Sequence, residues 1–222
     1  MNRPAGAQDL TLDEMRVALA PAIAQAAAFD GWSEAAVRAA ARQMGLDGDV
    51  AVYAFAEGPM AMIAGFAAHV DAAMAAALPV ETLAGMKIRE RIRALVAFRL
   101  NAFAGCEEAL RRALAIMASP RHAAQAAKLG WASADAMWRL AGDTAVDYNH
   151  YTKRATLAGV YAATLAVLVD DESAGKAETF AFLDRRIDGI MRFEKAKARL
   201  LSPDREHFSV VRLLGRLRYP AR

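Results

Sequence analysis

Residues 11–55 read TLDEMRVALAPAIAQAAAFDGWSEAAVRAAARQMGLDGDVAVYAF, and three helices can be marked on them from residue type alone. Thr11 followed by Glu14 is a capping box, in which each side chain satisfies an amide that the start of a helix leaves unpaired. Leu12, Met15, Leu19 and Ile23 then recur at helical spacing, and the helix ends before Asp30-Gly31. Ser33 is placed to cap a second helix with Val37 and Met44 inward and Gly45 as its stop. Asp49 can cap a short third helix carrying Val50, Tyr53 and Phe55.

The same pattern continues outward. Gly58-Pro59 opens a fourth helix that Pro79 closes, and Thr82 starts a long amphipathic one with Met86, Ile88, Ile92, Leu95 and Leu100. Another runs from about Glu107 to Met117, a short one covers His122–Leu129, and Ser133 caps the next through Met137 and Trp138. Thr144 to Val169 reads as one long helix, apolar nearly all round after Thr156 and therefore central. After the solvated Asp170–Ser173 loop, a further helix spans about Ala177–Leu200, and Ser202-Pro203 marks a joint. A quarter of the 222 residues are alanine, the best helix former, and β-branched runs are scarce. The fold expected is an all-α bundle of about ten helices, divided into residues 1–80, 81–200 and 201–222.

Composition bounds the function. An apolar fraction of 56% and a net charge of +3 exclude a disordered chain. A lone cysteine, Cys106, excludes an internal disulfide framework and reads as a small buried hydrophobe. Met1–Leu10 has no signal-peptide character, and Ala155–Val169 is too short to span a bilayer, so a cytoplasmic protein is expected. The four histidines are scattered, and no metal-ligand spacing, phosphate-binding loop or nucleophile motif occurs. No cofactor, no metal and no catalytic residue is expected.

Charge is uneven: residues 1–184 carry a net −4 and residues 185–222 a net +7. In the last segment Arg205, Ser209, Arg212 and Arg216 fall within about 60° of one another on a helix turning about 100° per residue. Phe208, Val211, Leu214 and Leu217 occupy the remaining circumference. Such a basic amphipathic helix suits the headgroup region of an anionic membrane.

Residues 10–78 resemble the amino-terminal domain of TetR-type regulators, whose recognition helix carries a tyrosine-x-phenylalanine like Tyr53-Ala54-Phe55. A ligand-responsive transcription regulator is therefore an alternative. The charge argues against it: from Gln43 to Met86 there is no Lys or Arg, while Asp47, Asp49, Glu57, Asp71 and Glu81 are present. Phosphate contacts supply nearly all non-specific DNA affinity, so no nucleic-acid partner is expected.

The run Met137-Trp138 … Ala141-Gly142-Asp143 … Asp147-Tyr148-Asn149-x-Tyr151-Thr152-Lys153-Arg154-x-x-Leu157-Ala158-x-Val160-Tyr161 holds the densest mixture of aromatic, acidic and amide groups. Its residues read either as capping and packing groups, with Arg154 on the solvent side, or as a protein-contact patch. This run, together with Thr179-Phe180-x-Phe182-Leu183-x-Arg185-Arg186-Ile187, resembles the coenzyme Q biosynthesis family numbered nine. The resemblance implies a TetR-like fold, a homodimer and no catalysis. It also implies binding of isoprenoid quinone precursors, peripheral attachment to the inner membrane by the terminal helix, and presentation of substrate to a ubiquinone-pathway hydroxylase. Carried over residue by residue, the hydroxylase patch comprises Met137, Trp138, Asp143, Asp147, Tyr148, Asn149, Tyr151 and Arg154. A bacterial member is suggested by the lack of a transit peptide. A lipid pocket would draw on apolar residues after residue 82, with Ile92, Val96, Phe103, Leu157, Val160, Tyr161, Leu165 and Phe182 as candidates. Membrane contact falls to Arg205, Phe208, Val211, Arg212, Leu214, Arg216 and Leu217.

Overall fold

The computed structural model describes residues 10–144 and 148–201, with the backbone alone at residues 191 and 193–201. Among the described residues there are ten α-helices, two 3-10 turns and no strand. The helices are α1 Leu12–Asp30, α2 Glu34–Met44, α3 Gly48–Ala54, α4 Pro59–Ala77 and α5 Val80–Ala84. They continue with α6 Ile88–Asn101, α7 Glu107–Met117, α8 Ala123–Leu140, α9 Tyr148–Leu168 and α10 Ala177–Leu201. One compact unit extends to Asp184, and a second begins at Arg185 within α10. The residues expected to meet a membrane, from Arg205 to Leu217, lie outside the described residues.

The start of α1 follows from its first residues. The Thr11 amide donates to Glu14 Oε2 at 2.8 Å and the Glu14 amide to Thr11 Oγ1 at 3.3 Å. Met15, Leu19 and Ile23 are buried, and α1 packs against α2, α4 and α7. Alanine on this face lets the helices approach closely. Gly65 of α4 marks the tightest place, where a Cβ would lie 3.2 Å from the Arg16 carbonyl oxygen.

Four local expectations are corrected. Asp47, not Asp49, caps α3: its Oδ1 accepts from the Asp49 and Val50 amides at 2.8 and 3.1 Å, while Asp49 pairs with Arg38 at 2.8 Å. Ser33 stands at the N-cap of α2, but its hydroxyl donates back to the Asp30 carbonyl at 3.0 Å. Met44, expected inward, is exposed on the last turn of α2. The helix expected from Thr82 is interrupted at Gly85-Met86-Lys87, and α6 starts anew where the Glu90 carboxylate accepts the Lys87 amide at 3.0 Å.

A fifth correction positions the site. The two short helices expected at 122–129 and after Ser133 are one helix, α8, entered from a 3-10 turn at Pro120–His122. Gly130 costs such a helix only about 1 kcal/mol relative to alanine, which packing on α9, α4, α6 and α7 outweighs. Ser133 is a buried mid-helix acceptor rather than a cap.

Helix α4 is long and apolar enough to cross a membrane by length and composition. Its apolar face, Met60, Ile63, Phe66, Val70 and Met74, is buried against α1, α6, α7 and α8, which is the behaviour of a core helix. The Asp170–Ser173 segment is also more than a solvated loop. Asp171 is 4% exposed and its carboxylate accepts from the amides and hydroxyls of Ser173 and Thr179, which ties the loop to the first turn of α10. Burial would raise the Asp171 carboxyl, but these four donors prevail and hold it well below the usual carboxylate range.

Candidate functional site

A cavity of about 300 Å³ lies where α4, α6, α7, α8 and α9 converge. Its wall is almost wholly apolar, with Trp32, Ile63, Phe66, Phe103, Met117, Leu129 and Leu165 among the lining residues. Trp32 contributes only its ring face, because its indole N–H is already donated to the Ala109 carbonyl at 2.8 Å. Phe66 sits between Trp32 and Phe103, with ring centroids 6.3 and 5.1 Å away. These fixed aromatic contacts form a rigid lining suited to a hydrocarbon ligand.

One corner is polar. Arg99 of α6 is 2% exposed. It donates from Nη1 to Asp71 of α4 and from Nη2 to Ser133 Oγ of α8 at 2.7 Å, and its Cζ lies 5.1 Å from the Tyr161 ring centroid of α9. Burial raises the Asp71 carboxyl from its ordinary value, and the Arg99 guanidinium pulls it partway back. Burial likewise raises the Tyr161 phenol, so it stays neutral.

Of the eight residues expected to line a lipid pocket, Phe103, Tyr161 and Leu165 lie on the wall of this cavity. Ile92, Val96, Leu157 and Val160 are buried packing residues away from this cavity, and the half-buried Phe182 is not on its wall. Trp32, Phe66, Arg99, Met117 and Leu129 were missed. Trp32 and Phe66 lie in the amino-terminal part, before the residues after 82 from which a pocket was expected. Arg99 carried a readable signal, since it interrupts the apolar run Leu95-Val96-Ala97-Phe98 and Leu100 in mid-helix.

The junction of α8 and α9 separates the expected partner residues into two groups. Met137 and Trp138 are buried, and the Trp138 indole donates to the Lys153 carbonyl at 3.0 Å. Arg154, expected on the solvent side, is 2% exposed. Its guanidinium reaches Asp135 at 2.6 Å and Asp143 at 3.0 Å, and Lys153 meets the other Asp143 oxygen at 2.7 Å. Asp143 thus serves as a buried counter-ion rather than a simple cap. Burial alone would lower the Arg154 pKa, but the two carboxylates outweigh it and raise the value. Tyr148, Tyr151 and Asn149 are exposed on the first turn of α9, with His150 half-buried beside them. The Tyr151 ring packs 6.1 Å from Trp131 and 5.2 Å from His150. Asp147 lies outside the described residues.

Cys106 occupies the N-cap position of α7 and is half-buried, less enclosed than expected; burial raises its thiol, which keeps it protonated.

The fold and this cavity define an all-α protein with a largely apolar, partly open cavity among its helices. Residues 123–194, which include all of α8 and α9, match the COQ9 family model. Across 105 residues, 47% of this chain, it is 37% identical to the rat "Ubiquinone biosynthesis protein COQ9, mitochondrial". The human protein of that name is 34% identical over the same length, and the fruit-fly protein 27% over 200 residues, 85% of this chain. Over residues 123–194 the chain is similar to the COQ9 family. The matched segments span about a third of the length of the rat and human relatives, 34% and 33%.

Proposed function

We propose that this chain is a non-catalytic, lipid-binding component of ubiquinone biosynthesis, and that the cavity holds an isoprenoid quinone precursor. The observation that carries the proposal is the cavity itself, a chamber of about 300 Å³ lined by fixed aromatic and aliphatic side chains. The names of the rat, human and fly relatives supply the pathway. In this reading Tyr148, Asn149 and Tyr151 meet the hydroxylase that consumes the lipid. Met137, Trp138, Asp143 and Arg154 hold that face in shape from beneath. The protein works as a homodimer on the membrane surface that contains the precursor, and the basic segment after residue 203 makes the membrane contact. The relatives named mitochondrial put that surface in the mitochondrion for them.

The family's name and the acidic surface of the amino-terminal helices both disfavour transcription regulation. Asp47 and Asp49 stand at the start of α3, with Tyr53 and Val50 exposed on it. A duplex brought to that helix meets these carboxylates, and the neighbouring cation, Arg38, is already paired with Asp49 and Glu34. The proposal is tested by titrating a prenylated benzoquinone into the purified chain while following tryptophan emission. Trp32 lies in the cavity wall, so the proposal expects saturable quenching near one-to-one that Trp32→Phe largely removes. Quenching that stays unsaturated, or that is unchanged in Trp32→Phe, would count against the cavity as the site.

A further inference from the structure

The Arg99 corner contains more chemistry than a plain hydrocarbon ligand can use. Its Nη1 and Nη2 groups are satisfied by Asp71 and Ser133, yet Nε has no hydrogen-bond partner among the described residues. An unpaired buried donor is costly, and on a charged group more so. Asp71, Ser133 and Tyr161 already tie α6 to α4, α8 and α9, so fastening helices does not account for a free Nε. Arg99, Ser133 and Tyr161 all belong to the cavity wall, so an occupant can approach this guanidinium. Asp71 balances its charge. A carboxylate ligand would meet a second carboxylate in the same corner, whereas a carbonyl oxygen accepts a hydrogen bond without adding charge.

We infer that the Arg99 corner is a specificity element that selects an apolar ligand bearing an uncharged carbonyl oxygen over a carboxylate of the same chain length. The inference rests on the reading that the cavity holds a lipid, and it names the chemical class that the cavity prefers. Arg99 is the donor, Asp71 sets the charge, and the aromatic lining takes the hydrocarbon.

The test displaces the neutral dye Nile red from the full-length chain with three probes of equal length: 2-tridecanone, tridecane and tridecanoate. Arg99→Met should weaken the ketone about tenfold or more, the effect of one hydrogen bond to a charged donor, and leave tridecane within about twofold. Asp71→Asn should strengthen tridecanoate about tenfold and leave the ketone nearly unchanged. If Arg99→Met fails to fold, the double variant Arg99→Met/Asp71→Leu removes both charges together and should show the same selective loss of ketone binding. Equal weakening of ketone and tridecane, or no gain for tridecanoate in Asp71→Asn, overturns the assignment while leaving a lipid cavity in place. Failure of all three probes to displace the dye from the unaltered chain overturns the lipid cavity itself, and this assignment with it.

Discussion

Removing the Arg154 side chain should be the most damaging single change at the α8–α9 junction. The guanidinium is 2% exposed and makes three contacts, to Asp135 at 2.6 Å, to Asp143 at 3.0 Å and to the His150 carbonyl at 3.1 Å. Arg154→Ala leaves the Asp143 and Asp135 carboxylates, 4% and 19% exposed, short of their shared partner. Breaking a buried pair in this way costs about 3–5 kcal/mol. Against a total stability of about 5–15 kcal/mol that is a large fraction, and it corresponds to a fall in Tm of about 6–20 °C for a chain of this size. Lys153→Ala removes the half-exposed partner of Asp143 and should cost only about 1 kcal/mol or less, because water replaces the ammonium. Urea unfolding followed by far-UV circular dichroism measures both. A loss below about 1 kcal/mol for Arg154→Ala, or equal losses for the two variants, would refute the reading of Arg154 as the buried keystone.

Three further predictions concern separate parts of the chain. Asp171→Ala should cost about 2–3 kcal/mol, the loss of several bonds to a charged acceptor, as read from urea midpoints at pH 7. Because folding depresses the Asp171 pKa, its contribution is present above the usual unfolded value near 4 and fades as pH falls below that, so wild type and variant should converge in acid. Tyr148→Ala and Tyr151→Ala should each leave Tm within about 2 °C, since both rings are exposed, yet weaken capture of a pathway hydroxylase by about tenfold or more in surface plasmon resonance. Deleting residues 204–222 should abolish sedimentation with anionic phosphatidylserine vesicles while leaving the helical circular-dichroism spectrum of the rest intact; unchanged sedimentation removes the segment's membrane role.

The helical class and most helix starts were legible in the sequence because they depend on neighbours. Thr11 and Glu14 are three residues apart, and their capping box forms as their spacing implies. Reading failed where a distant partner decides. Gly130 and Ser133 look like a break and a cap, but Ser133 faces Arg99, 34 residues away, inside one continuous α8. Arg154 looks like a solvated helix cation until Asp135, 19 residues earlier, is brought against it. The cavity escaped for the same reason: Trp32 reaches it from the α1–α2 connection and Phe66 from α4, and helical periodicity marks a face as buried without saying whether it meets another side chain or an empty space.

The central claim is that the cavity carries a prenyl lipid. Organic extraction of the purified chain, followed by mass spectrometry of what it releases, tests this most directly. The account predicts an isoprenoid quinone or its precursor at close to one molecule per chain, lost when Leu129→Trp fills the chamber. Bulk phospholipid alone, released equally by wild type and the filled variant, would contradict it.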